Sequence, residues 1–306
     1  MANFDLLSNP FAVLGITPRD DASAITIAYE DALDEAKLDE HELLSAQQSL
    51  MASRPRLAAE LGWLTGAAPK VAADICSKIA GQIPISAQDT ATLPPVSVAN
   101  VCSACLGYLS RAEFPNIAFA LADSYQNIKL AAVINLINAE RQVAGFATVE
   151  QNLVQSELKN LRQEHVQAMV SGATKFDDAG HLMTAIAEYG IERSGGVLEF
   201  IGEVVEAFDR WTAPHLHEID EQIDRSISQL RDDPSLEAPL GEIETHLENW
   251  DSFNQAQQLI FEAKNLDEPR SRAIYDKLRE LTIWMANEHE EHNSARRISQ
   301  ALLETF

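Results

Sequence analysis

The chain has 306 residues, 46% of them hydrophobic and 23% charged, with a formal net charge of −24. That length allows two or three domains with a sizeable core, and the acidity argues against nucleic-acid or anionic-membrane binding, both of which need cationic faces. Cys76, Cys102 and Cys105 are too few for a disulfide framework, no basic-then-apolar leader opens the chain, and no apolar run reaches about 18 residues, so the sequence predicts a cytoplasmic protein without a membrane span.

Residues 8–16 read Ser-Asn-Pro-Phe-Ala-Val-Leu-Gly-Ile. Asn9 suits an N-cap, Pro10 the first helical position and Gly15 the stop, which predicts a short helix presenting Phe11 and Leu14. A second helix is predicted from Asp20 or Asp21, with Ile25, Ala28, Tyr29, Ala32, Leu33 and Ala36 on its apolar face. A third carries Leu43, Leu44, Gln47, Leu50 and Met51 and breaks near Arg54-Pro55, and a fourth segment carries Leu57, Leu61 and Leu64.

This order resembles the J-domain of chaperone partners over about residues 5–65. Asn9-Pro-Phe-Ala-Val-Leu-Gly-Ile16 is similar to the family's opening helix, and Ala28-Tyr29 to the inward face of its second. Leu44, Ala46 and Leu50, followed by Arg54-Pro55-Arg56-Leu57, resemble its third helix and the turn after it. The resemblance implies a J-like fold in which Asn9, Pro10, Phe11, Leu14, Gly15 and Tyr29 hold the family's structural positions. It departs at two places. The family's His-Pro-Asp tripeptide is replaced by Lys37-Leu38-Asp39-Glu40-His41-Glu42. The second helix, basic in the family, presents Glu30, Asp31, Asp34 and Glu35. Like charges meeting across an interface oppose docking to the acidic groove of a seventy-kilodalton heat-shock chaperone.

Beyond the J-like region, residues 84–97 hold three prolines among small polar residues and are predicted to be a linker. Cys102-Ser-Ala-Cys105 has half the ligands of a zinc site and no strand context for a redox pair, so it reads as two small thiols on a buried helix. From Thr148, the spacing of Val154, Leu158, Leu161, His165 and Ala168 predicts a helix with His165 as a core histidine. A break at 171–174 precedes Asp177-Asp178, a predicted N-cap with His181 one turn on. Ser194-Gly195-Gly196 is too short for a phosphate loop. Ile219, Ile223, Ile227 and Leu230 mark one later helix, and Ile274, Leu278, Leu281 and Met285 another. Leu281 to Phe306 reads as a closing helix–turn–helix. Within it, His289-Glu-Glu-His292 lacks the His-Glu-x-x-His spacing of a zinc helix, and earlier His215-Leu-His217 puts its rings on different sides.

The fold class is therefore all-α: a small J-like three-helix N-terminal module (1–65), a helical region (66–176) with its Pro-rich linker near 84–97, and an acidic helical region (177–306). The last carries 28 acids and 11 bases, a net charge of −17. No catalytic, cofactor-binding or metal-ligating set is predicted. The expected function is a non-enzymatic interaction or adaptor protein. Its helical and acidic surfaces, with Glu199, Glu203 and Glu206 as one acidic face, would dock a protein partner that has a basic surface. Two alternatives are a J-type co-chaperone and an enzyme on a helical bundle. The latter's sign would be Glu-x-x-His on two helices, and no copy occurs.

Overall fold

The computed structural model describes residues 4–36 and 38–306, and these form fifteen α-helices, one 3-10 turn at Leu6–Ser8 and no strand. They divide into two units, 1–175 and 176–306.

In the first unit, α1 (Pro10–Val13) begins where Asn9 Oδ1 accepts from the Phe11 N–H at 3.0 Å. Gly15 ends the motif at φ +65°, with open space where a Cβ would stand, so the left-handed backbone alone calls for glycine there. Asp21 caps α2 (Ala22–Glu35) and Asp39 caps α3 (Glu40–Met51), each accepting from a first-turn N–H. α2 keeps only Ile25 fully buried, and Tyr29 is half-buried. α3 buries Leu43, Ala46 and Leu50, whereas Leu44 and Met51, expected on the apolar face, are exposed. Alternation of faces at a 3.6-residue period admits either set, and the packing of α3 on α1 and α2 selects one. The break falls at Ala52, upstream of Arg54-Pro55, because Pro55 fits the first turn of α4 (Ser53–Leu61), where its missing N–H has no intrahelical partner to lose.

α5 (Pro69–Ala80) follows. The stretch 84–97 differs from the expected helix-free linker. It holds α6 (Ala87–Thr90) and the first turn of α7 (Pro95–Cys105), and it buries Leu93, Val96 and Ser97. Pro94 and Pro95 take the N-cap and first helical positions, where proline starts a helix rather than breaking it. α7 then serves the carboxyl end of α4. Asn100 Nδ2 donates to the Leu61 and Trp63 carbonyls, and Ser97 Oγ donates to that of Thr65, satisfying groups a helix end leaves open. α8 (Phe114–Asn127), α9 (Leu130–Val143) and α10 (Gln151–Ala173) complete the unit. Leu57, Leu61, Val96, Val133, Ile137, Val154 and Leu161 form one core drawn from α4, α7, α9 and α10.

The second unit contains α11 (Ala179–Ser194), α12 (Glu199–Asp232), α13 (Glu237–Glu262), α14 (Pro269–Glu288) and α15 (His292–Thr305). Asp178 is the N-cap of α11 by backbone position, without a side-chain capping bond. α12 runs through Pro214, which removes one backbone bond from its interior. Packing of Leu216, Ile219, Ile223, Ile227 and Leu230 against α13–α15 holds it helical beyond that point. α11 crosses α13 at Gly180, where a Cβ would collide with the Ser252 carbonyl. Ion pairs tie the remaining helices together: Arg270 grips Asp209 through two bonds of 2.7 and 2.8 Å, Lys277 joins Asp220 and Asp224, and Arg297 joins Glu237 and Glu244.

Candidate functional site

The residues of the J-like motif serve structure in this molecule. Phe11 and Leu14 are buried, Pro10 opens α1, and Asn9 works twice, capping α1 through Oδ1 and donating from Nδ2 to the Ala59 carbonyl at 2.9 Å. In the loop that would hold His-Pro-Asp, Lys37 lies outside the described residues, while Asp39 Oδ1 accepts from the His41 N–H at 2.8 Å and so closes the start of α3. Glu30, Asp31, Asp34 and Glu35 are all exposed on α2.

Arg56, Glu60 and Arg141 form a buried charge cluster that the sequence did not disclose. Glu60 accepts from Arg56 Nε at 2.8 Å and from Arg141 Nε at 2.7 Å, and all three side chains are shielded from solvent. Arg56 also donates to the Pro18 carbonyl and stacks on Phe146 at 3.6 Å, and Arg141 donates to the carbonyls of Ser53 and Ala147. Burial raises the pKa of Glu60, and the two guanidiniums oppose that rise. With every polar end engaged within the cluster or on a backbone carbonyl, it ties Pro18, Ser53 and α4 to α9.

The remaining sequence candidates also resolve into packing. Burial pushes the Cys102 thiol up to about 12 and the Cys105 thiol up to about 11, which disfavours a free thiolate nucleophile at neutral pH. His165 is fully buried with Nδ1 2.8 Å from the Tyr125 hydroxyl and the Phe4 ring edge-on at 4.6 Å, and burial pushes its pKa down to about 3. His289 packs on Trp284 at the end of α14 while His292 opens α15. His215 stacks on Phe253, and His217 faces Glu221 one turn along α12. Among the described residues no group of three His, Cys, Asp or Glu side chains is placed to hold a metal ion, and no helix is long and apolar enough to cross a membrane.

Glu199, Glu203 and Glu206, expected from the sequence as one acidic face, lie on α12. Glu199 and Glu206 are exposed and Glu203 is half-buried, but Glu206 already pairs with Arg210 at 2.8 Å. A more developed surface lies where α13, the start of α14 and the end of α15 meet, around a groove of about 680 Å³. Its floor is rigid. Glu268 caps α14 by accepting from the N–H groups of Arg270 and Ser271, and it takes a further bond from Asn254 Nδ2 of α13 at 2.9 Å. Burial opposes ionisation of Glu268, but these bonds outweigh it and hold the carboxyl below its usual range. Leu259 and Tyr275 line the groove half-buried, while Leu266, Leu303 and Phe306 remain 57%, 83% and 42% exposed. Carboxylates surround it: Asp251, Glu262, Asp267 and Glu304. An adjoining groove of about 320 Å³ shares Asp251 and Glu304 and adds Glu248. Burial raises the pKa of the Asp251 carboxyl, with His181 opposing. Sequence reading missed this site because its parts come from three helices, and Leu303 lies off the stripe that marks the last one.

No protein-family model, curated protein or solved structure matches the chain.

Proposed function

We propose that this chain is a non-enzymatic interaction protein that docks a protein partner through the acidic surface of its second unit. The observation that carries the reading is the groove between α13, α14 and α15, which exposed leucines and a phenylalanine line together with several carboxylates. Exposed apolar side chains grouped in a concave, polar-rimmed surface mark association sites, whereas single ones are ordinary. Charge supports it too. The unit carries 28 acids against 11 bases, and at least seven of those bases pair with its own carboxylates, so few remain to offset the acid excess.

In the first unit, the short capped α1 and the α2–α3 pair support a J-like module used as a scaffold. The same helix order is what a J-type co-chaperone reading draws on, but the exposed acids of α2 oppose an acidic chaperone groove. The test is retention of a stoichiometric protein from native lysate by the intact chain at physiological salt, run beside an ATPase assay with a seventy-kilodalton chaperone. A discrete retained partner and no ATPase stimulation are expected. Stimulation without any retained partner would reject the docking reading in favour of the co-chaperone.

A further inference from the structure

We propose that the groove between α13, α14 and α15 receives a basic amphipathic helix, its apolar side against Leu266, Leu303 and Phe306 and its Lys and Arg side chains against the surrounding carboxylates. The inference deepens the docking reading and rests on it, naming the chemistry of the partner.

Three features of the site select that occupant. The apolar contribution comes from three side chains that line the same cavity: Leu266 in the loop before α14, Leu303 on the last turn of α15 and Phe306 just after it. Helix-in-groove recognition uses such an apolar lining, reading side chains at i, i+3, i+4 and i+7. The charge around it has one sign in excess. Among the described residues Glu248, Glu262 and Glu304 form no ion pair, while the two arginines that line the grooves are already engaged, Arg272 with Asp267 and Asp276 and Arg297 with Glu237 and Glu244. An acidic or neutral helix would leave these carboxylates desolvated and unpaired, whereas lysines and arginines at its flanks would meet them. The floor is also preorganised. The Glu268–Ser271–Asn254 bonds hold α13 and α14 in place, so binding need not order the backbone there. An anionic membrane, which the leucines alone could suit, is repelled by the same carboxylates.

The experiment uses the full chain and a synthetic helix of about 14 residues, with Leu at the i, i+3, i+4, i+7 positions and Lys elsewhere, a length near the minimum for helicity in water. Two controls carry the same composition with the leucines scrambled, or Glu in place of Lys. The patterned Leu/Lys helix should bind, measured by fluorescence anisotropy in physiological salt, with both controls weaker by about tenfold or more. Leu266→Ser with Leu303→Ser, both on exposed side chains and therefore compatible with folding, should weaken it by a similar factor while leaving the far-UV circular dichroism unchanged. Glu248→Gln with Glu262→Gln should weaken it several-fold, and the effect should vanish at high salt. Equal binding of the scrambled Leu/Lys peptide would show unspecific charge attraction and overturn the proposal. So would indifference to the serine substitutions. Self-association of the chain that the serine pair abolishes would assign the groove to a second copy instead. Retention of the same lysate partner by the wild type and the serine variant overturns the groove assignment and leaves the docking reading standing.

Discussion

Glu60 and Arg141 lie 81 residues apart in sequence and meet at 2.7 Å in the interior of the first unit, with Arg56 on the other oxygen of the same carboxylate. The pair joins α4 to α9, and Arg19 and Arg54 repeat the pattern at the margin by reaching Glu140 and Glu157. Replacing Glu60 would strand two buried guanidiniums. Loss of one partner from a buried pair costs about 3–5 kcal/mol, so Glu60→Gln is expected to lower the denaturant midpoint of the first unit by a corresponding amount. Arg19→Gln, which removes a partner that is 64% exposed, should change it little. Equal midpoints for Glu60→Gln and wild type would mean that the cluster contributes only neutral packing.

The same cluster shows where sequence reading stops. Caps and helical periods are local, so Asn9, Asp21 and the stripes of α10, α12 and α14 were legible, and the all-α class followed from them, whereas the Asp39 cap of α3 was not read. Glu60 and Arg141 carry no local mark of burial, since a charged residue in a helix reads as solvent-facing until its partner is located. Pro94-Pro95 misled for a related reason: proline opposes a helix interior and favours its first turn, and composition alone does not say which applies. The groove of the second unit depends on the convergence of α13, α14 and α15, which no single stripe encodes.

Gly180 offers a sharper packing test. An added Cβ would meet the Ser252 carbonyl, which is backbone and cannot turn aside, so α11 and α13 would have to separate. Overpacking typically costs about 1–3 kcal/mol, and Gly180→Ala should reach at least the upper part of that range despite alanine's better helix propensity. Gly241→Ala, where a Cβ meets open space within α13, should be neutral or slightly stabilising. Thermal unfolding of the two variants beside the wild type decides the matter, and equal effects would dismiss the close crossing.

His165 should make the first unit acid-sensitive. Its pKa is held at about 3 in the folded chain against an ordinary value of 6.5. Between those values the unfolded chain binds a proton that the folded chain does not. Stability from this group is thus complete above about pH 6.5 and falls with decreasing pH at about 1.4 kcal/mol per unit. His165→Gln keeps a polar group for the Tyr125 hydroxyl but does not titrate. Between pH 7 and pH 5 the wild type should lose about 2 kcal/mol more than this variant. Identical slopes in urea titrations at the two pH values would show that the imidazole gains its proton without opening the fold.

The two acidic surfaces of the second unit should differ in kinetics. Glu199, Glu203 and Glu206 on α12 are not among the residues lining the α13–α15 groove, and Glu206 is partly neutralised by Arg210. Charges beside a docking site steer encounter, whereas groups desolvated within it also resist dissociation. Reversal of the three α12 glutamates to lysine should therefore slow association with the Leu/Lys helix and leave dissociation nearly unchanged. Reversal of Glu262 should slow association and speed dissociation together. Salt should reproduce the first effect, because the Debye length falls from about 8 Å at 0.15 M to about 3 Å at 1 M. Stopped-flow traces at several salt concentrations separate the two rates. A dissociation rate that responds as strongly to the α12 reversals as to Glu262→Lys would place the bound helix on α12, making the face marked by Glu199, Glu203 and Glu206 the contact surface itself.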